Sequence, residues 1–389
     1  MTPKEFAMKY TAAVINFVTG ILPLKNQIIF ESNPDFEDNS FYLYKRMVEL
    51  GYNKKYKMIW VLNGERNDYD LPENVSVIRR AHGNIAEKLK ENWEIGRSKF
   101  IIDCNIFVYK RSSRQIRIFL EHGLTFKNVP WYAFQVGEID MLPVPSEYWI
   151  EKMAEEHNLS TDKVKVLGLP RNDILIPESH EIKNIIWMPT WISKNFDEGD
   201  KDGSYDELIS KMPFGLPAID KKEDFEKINE LFRKHNAILY IRLHPVQDTS
   251  VLPISEMSNI VLCNNDFLNQ NHTTLYKFLC KTDALVSDYS SIYFDYLKLN
   301  KPIALVTKHF NEYKNCRDSL IISYDEYKER YPAFFAESFE ELLAFFENVL
   351  CGNDPDAEKR LVVKEKYMPD CIIPASDRVI EYMKENYNF

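Results

Sequence analysis

The sequence lacks most of the features that would place a chain in a special class. Its six cysteines (Cys104, Cys263, Cys280, Cys316, Cys351 and Cys371) form no Cys-x-x-Cys pair and none pairs closely with a histidine. Neither a zinc site nor a disulfide framework is suggested, so a reducing cytoplasm is the expected setting. No apolar run approaches the roughly 18–20 residues of a transmembrane helix. Residues 6–24 carry mixed apolar positions (Ala12, Ala13, Val14, Ile15, Phe17, Val18, Ile21, Leu22) but no basic leader and no cleavage site, which argues against a signal peptide. A first helix packed on the protein is expected there, with a helix lying on a membrane surface as the alternative. Internal repeats and low-complexity segments are absent.

Positive charge is also short. Lys and Arg number 49 against 59 Asp and Glu, a net charge of −10, and a nucleic-acid binder wants a basic face. One local exception is the cluster Lys110, Arg111, Arg114 and Arg117, which suits anionic lipid or an active site. What remains is an ordinary globular composition, 45% hydrophobic and 28% charged, and this excludes a disordered chain. A chain of 389 residues is long for one core, so two domains are expected, 1–176 and 177–389. The last helix is a candidate to pack back on the first domain.

Along the first domain, short apolar runs alternate with helical patterns. Strands are predicted at Ile28–Phe30, Tyr56–Leu62, Val75–Ile78, Phe100–Ile102, Arg117–Leu120 and Lys163–Leu167. Helices are predicted over Phe41–Leu50, stopped by Gly51, and over Ala86–Trp93. The second domain repeats the style, with strands at Asn184–Met188, Ala237–Ile241, Ile260–Leu262, Ala284–Val286 and Pro302–Val306. Its helices are predicted at Phe225–His235, Thr274–Cys280 and Ile292–Leu297, then near 337–350 and 376–386. Ser193–Lys222 reads as a long loop. Strands alternating with helices imply two doubly wound parallel sheets.

Five polar clusters stand directly after predicted strands: 121–127, 168–173, 189–191, 242–245 and 287–291. Open parallel sheets bind ligands beyond the carboxyl ends of their strands, so this shared placement points to chemistry. His122 and His244 each stand at such an end beside glycine or proline and near a cation. Ser290 and Ser291 open a helix after a strand, where free backbone N–H groups and the helix dipole suit a phosphate.

His122-Gly123-Leu124-Thr125-Phe126-Lys127, Pro189-Thr190-Trp191, Arg242-Leu243-His244-Pro245 and Ser287-Asp288-Tyr289-Ser290-Ser291, with Phe294-Asp295 and Lys301-Pro302, resemble one known signature. It is that of the CDP-glycerol glycerophosphotransferases, the teichoic-acid primases and polymerases of Gram-positive walls and their capsule and surface-polysaccharide relatives. Asp38-Asn39-Ser40 before Tyr42-Leu43-Tyr44 is similar to the family's first loop and helix, and the likeness runs from about residue 28 to 380. Leu124-Thr125 stand where the commonest form has Thr-Pro, a variant similar to the capsule branch.

The resemblance implies a GT-B-like α/β architecture, two Rossmann-like doubly wound domains facing across a cleft. It also implies transfer of glycerol phosphate from CDP-glycerol to a hydroxyl of a lipid-linked saccharide or polyol-phosphate acceptor, with release of CMP. No cofactor is required and no metal is implied. On this reading His122 is the general base and His244 the second catalytic histidine. Lys127, Thr190, Arg242, Ser290 and Ser291 hold the donor, with His122 and Lys127 on the first domain. Asp288 belongs to the same substrate site and orients His244 or caps the helix, since beside a diphosphate it would repel. The expected location is cytoplasmic, with peripheral contact at the inner face of the membrane. The alternatives are a GT-B glycosyltransferase using a nucleotide sugar, a transferase of another CDP-polyol such as CDP-ribitol, and a non-catalytic binding protein.

Overall fold

Apolar runs buried along nearly their whole length, not alternating ones, make the strands. Lys-Met-Ile-Trp-Val-Leu of β2 (Lys57–Leu62) and Ala-Leu-Val-Ser of β11 (Ala284–Ser287) are examples. A strand needs that composition when helices cover both faces of its sheet. The computed structural model describes residues 13–64, 69–80, 85–105, 108–127, 139–190, 204–244, 247–316 and 322–389.

The chain forms two units. The first comprises Met1–His122, Pro130–Asp173 and Cys371–Phe389; the second comprises Gly123–Val129 and Ile174–Asp370. In the first, β1 (Lys25–Phe30), β2, β3 (Val75–Arg79), β4 (Ser98–Asp103) and β5 (Ile116–Phe119) pair in parallel in the order β3-β2-β1-β4-β5. A short parallel pair, β6 (Leu142–Val144) and β7 (Val164–Val166), adjoins β5 through a bridge between Ile118 and Met141. One face of the sheet packs Leu43, Met47, Trp60 and Phe100 against Val379, Ile380 and Met383 of the helix Ala375–Tyr387. The other face carries Ile29, Ile59, Val61 and Ile101 against Ile95. The terminal Phe389 stacks on Tyr52 and Tyr56, both with ring centroids at 4.8 Å.

The second unit is a six-stranded parallel sheet. It contains β8 (Lys183–Trp187), β9 (Ala237–Ile241), β10 (Ile260–Leu262), β11, β12 (Ile303–Val306) and β13 (Phe334–Ala336), in the order β10-β9-β8-β11-β12-β13. Each sheet reverses its winding direction once, at β1/β4 in the first unit and β8/β11 in the second. Such switch points open a crevice at the carboxyl ends of the strands, which is where doubly wound sheets bind ligands.

Three expectations change. The Ser193–Lys222 stretch holds a helix at Ser204–Ser210, and its residues 193–203 lie outside the described set. Helices at Trp149–Glu156, Phe310–Asn315, Tyr324–Arg330 and Ala357–Tyr367 stand where none was expected. Lys127 belongs to the second unit although His122, five positions earlier, belongs to the first. The reason is local: Phe126 is caged by Phe294, Tyr331 and Tyr367, and its N–H donates to the Tyr331 hydroxyl.

The terminal helix is tied to the first unit at its start, where Asp173 Oδ1 and Oδ2 accept from Ala375 N (2.6 Å) and Ser376 N (2.9 Å). A carboxylate on the free N–H groups of a helix start is a cap. Asp173→Ala should therefore destabilise the first unit by about 0.5–2 kcal/mol, read as a lower midpoint in urea. An unchanged midpoint would show that the cap contributes nothing.

Candidate active site

The switch strand β1 runs into a loop that ends at Asp38, the first residue of the helix Asp38–Glu49. Asp38 has a positive φ of 60°, uncommon for a residue with a side chain. Its buried carboxylate is shared between two partners. Oδ2 lies 2.5 Å from His122 Nδ1, and Oδ1 accepts from Arg171 Nη1 at 2.6 Å. Arg171 also donates to the His122 carbonyl. Asn39 braces the same point, with Nδ2 bonding the carbonyls of Leu120 and Glu121 and Oδ1 accepting from Arg171 N.

This arrangement fixes the state of the imidazole. A carboxylate at Nδ1 holds the proton there and leaves Nε2 with its lone pair. The His122 side chain is 56% exposed, so that lone pair is open to a reactant. Burial opposes the charge on Asp38, but Arg171 and His122 outweigh it and hold its pKa at about 2. For His122, burial of the protein-facing edge lowers proton affinity. The charge of Asp38 and the hydrogen bond to it more than reverse this, so the pKa lies above the ordinary histidine value.

In the second unit the switch strands β8 and β11 bring together Thr190 and Asp288. Asp288 accepts from Thr190 N through both oxygens (2.7 and 2.9 Å) and from Thr190 Oγ1 through Oδ1 (2.5 Å). Its carboxylate is thus spent on Thr190, which differs from the expected roles of orienting His244 or capping the helix. Lys127 Nζ approaches Thr190 Oγ1 at 3.5 Å and lies 5.5 Å from the centroid of the Tyr313 ring. Burial lowers the Lys127 pKa to about 8, against the pull of Asp288.

Ser290 and Ser291 precede the helix Ile292–Leu297. Ser291 stands at its N-cap position without a capping bond, so its hydroxyl is not consumed by the helix. Arg242 is buried and braces the strand ends, with Nη1 donating to Cys263 O and Nη2 to Asn265 Oδ1, both at 2.9 Å. His244 is exposed beyond it, its N–H donating to Gln247 Oε1 at 3.0 Å. Trp191 and Pro245 lie outside the described residues.

Asp38 and Arg171 are the residues that sequence reasoning missed. Both stood in polar stretches after strands, Asp38-Asn39-Ser40 and Gly168-Leu169-Pro170-Arg171, and that placement was the available signal. The expected basic cluster also changes. Arg117 is fully buried on Asp103 at 2.6 Å, and Lys110 pairs with Asp140 at 2.9 Å, so both are spent on the structure.

Two doubly wound units with polar strand ends at their switch points define a chain of the GT-B-like class. The profile of the CDP-Glycerol:Poly(glycerophosphate) glycerophosphotransferase family matches residues 14–384, and the chain belongs to that family. It is 24% identical over 379 residues to the teichoic acid ribitol-phosphate polymerase TarL of Staphylococcus aureus, covering 88% of this chain and 59% of that protein. To the teichoic acid glycerol-phosphate transferase of the same organism it is 23% identical over 387 residues, covering 89% and 90%. The chain spans 59% and 44% of the lengths of the two ribitol-phosphate polymerases it matches, TarL and TarK. Among solved structures, the wall teichoic acid polymerase TagF aligns with a TM-score of 0.74 at 17% identity, over 97% of this chain and 93% of that one. A UDP-N-acetylglucosamine 2-epimerase from Listeria monocytogenes shares the fold with a TM-score of 0.54.

The proton affinity of His122 depends on one carboxylate. With Asp38→Asn, burial and the Arg171 charge disfavour imidazolium, and the weaker pull of Glu121 is left to favour it. The His122 pKa should therefore fall below its wild-type value in a histidine-ring NMR titration. An unchanged titration would mean that Asp38 does not hold the ring.

Proposed function

We propose that this chain transfers a polyol phosphate, glycerol phosphate in the first instance, from its CDP-linked form to an acceptor hydroxyl. The carrying observation is the exposed His122 ring with Nδ1 held by Asp38, in a chain whose family match spans 14–384. The acceptor oxygen attacks the phosphorus that bears the polyol, and His122 Nε2 takes the hydroxyl proton. The bond from that phosphorus to the bridging oxygen breaks, and CMP leaves with the electron pair. Such a base contributes on the order of 10²–10⁴ in rate.

The donor diphosphate is assigned to the second unit. Lys127 supplies positive charge, Thr190, Ser290 and Ser291 supply hydroxyls, His244 can bond a phosphate oxygen, and Arg242 keeps the strand ends in place. Asp288 fits this role because Thr190 and Lys127 offset its charge. Ribitol phosphate is the second reading for the transferred group, favoured by the names of the relatives TarL and TarK. A lipid-linked saccharide or a polyol-phosphate chain of wall or capsule type is the proposed acceptor class. A nucleotide-sugar glycosyltransferase shares the fold class, and the family match weighs against it.

The direct test offers CDP-glycerol and CDP-ribitol with a polyol-phosphate acceptor and measures CMP. His122→Ala should lower kcat at least about a hundredfold with little change in donor affinity. The base must be unprotonated and Lys127 protonated. The kcat/KM profile should therefore rise through a pKa above that of ordinary histidine and fall near 8. Release of UDP from a UDP-sugar, or turnover by His122→Ala at the wild-type rate, would refute the reading.

Peripheral membrane contact is part of the same proposal. No helix among the described residues is long and apolar enough to cross a membrane. The chain is helical over 13–21 and docks there through buried Thr19, which packs so tightly on Gly96 that a methyl group at 96 would run into its hydroxyl. This docking turns the apolar stripe outward: Phe17 is 70% and Ile21 66% exposed, with Val14 and Val18 beside them. The expected packing of a first helix on the protein is found at Thr19, while the apolar stripe stays outside it. Arg114 Nη2 donates to the Gly20 and Leu22 carbonyls, and Arg97 Nε to that of Pro23, which places two cations next to the stripe. An outward apolar stripe flanked by cations suits an anionic bilayer surface. The protein should float with anionic liposomes at low salt, less at high salt, and not after Phe17→Glu with Ile21→Glu. Equal flotation of that variant would overturn the assignment.

A further inference from the structure

We propose that Glu121 and His157 are positioning residues, which set the backbone of His122 as Asp38 sets its ring. The proposal rests on the reading of His122 as the base. Glu121 has a positive φ of 58°, although it is neither glycine nor asparagine. Its buried side chain bends back on the chain, so that Oε1 accepts the N–H of His122 at 2.8 Å. Oε2 is held by His157 Nε2 at 2.7 Å, also in the interior.

His157 is itself fixed. It follows the helix Trp149–Glu156, its N–H donates to Met153 O at 3.1 Å, and its ring lies 5.4 Å from that of Phe119 on β5. Each polar handle of His122 other than Nε2 is therefore bound. Nδ1 is on Asp38, the carbonyl on Arg171 and the N–H on Glu121. A buried carboxylate on a left-handed residue persists where its surroundings over-determine it, and such strain gathers at functional sites. Here the over-determination comes from His157 and from Asn39 Nδ2, which donates to the Glu121 carbonyl at 2.8 Å.

The pair touches no acceptor or donor atom in this scheme and acts only through His122. Removing His157 leaves Oε2 without this donor, so the carboxylate can turn away and release the His122 N–H. A displacement of the base by about 1 Å can cost up to about 10²-fold in rate. His157→Leu should lower kcat about 10- to 100-fold with the CDP-glycerol KM within about twofold. His157→Gln, whose amide N–H can reach Oε2, should restore most of the rate. Glu121→Gly, which removes the carboxylate but accepts the positive φ, should share the loss, which separates the side-chain bond from backbone strain.

A second measurement is independent of turnover. Hydrogen exchange at the His122 amide, followed by NMR, should be slow in wild type and His157→Gln and faster in His157→Leu and Glu121→Gly. Wild-type kcat together with wild-type amide protection in folded His157→Leu would overturn the proposal, as would loss of rate in His157→Leu without faster exchange. If wild type itself transfers no polyol phosphate, the proposed function fails. The exchange data then decide alone, with unchanged protection refuting the positioning pair and lost protection supporting it.

Discussion

A single buried carboxylate, that of Asp38, organises the first unit's strand ends. An ionised carboxylate in the interior costs several kcal/mol unless it is paired and hydrogen-bonded. Arg171 and His122 supply that pairing, one to each oxygen. Three chain segments far apart in sequence are thereby held at one point: the loops that follow β1, β5 and β7. The positive φ of Asp38, of order 1–2 kcal/mol for a residue with a Cβ, is tolerated because these bonds leave the chain no better position. Arg171 also limits the effect it enables. Its charge opposes imidazolium and so works against the rise in His122 basicity that Asp38 causes.

The second unit holds a buried aspartate of its own, Asp288, whose charge is offset in a different way. Asp288 is bonded to the N–H and hydroxyl of Thr190 and attracted by Lys127, so little of its charge is left to repel a phosphate. Lys127 reaches this place because the loop that carries it is held among aromatic rings of the second unit. Arg330 completes that cage, 4.9 Å from the centroid of Phe126. The residue that delivers the cation is thus an apolar anchor next to it. Burial then lowers the lysine's proton affinity towards neutrality, to a pKa of about 8.

The helix over 13–21 shows the same economy at the surface. A small contact, Thr19 against Gly96, brings it close, because a glycine lets two helices approach closely, and Arg114 ties its end at Gly20 and Leu22. The larger apolar side chains, which would normally drive docking, stay outside. That outward stripe is the feature on which the proposed membrane contact rests.

Much of this was legible in the sequence. Apolar runs of strand length alternating with helical patterns gave the doubly wound class, because a strand covered on both faces must be apolar on both. The position of His122, His244, Thr190 and Ser290 after such runs pointed to the strand ends, which is where the structure puts them, since parallel sheets expose those ends on one side. What the sequence left undetermined were pairings between distant segments. Arg117 opens a predicted strand and Arg114 does not, but nothing in residues 110–117 names Asp103, 14 positions away, as the partner on which Arg117 is buried. Nothing near His122 names Asp38 or Arg171, 84 and 49 positions away, as its partners. Local pattern determines which elements form, because helix and strand periodicity act over a few residues. The charge state and orientation of a side chain depend on groups that only the folded chain brings within hydrogen-bonding distance, and these the tertiary structure alone decided.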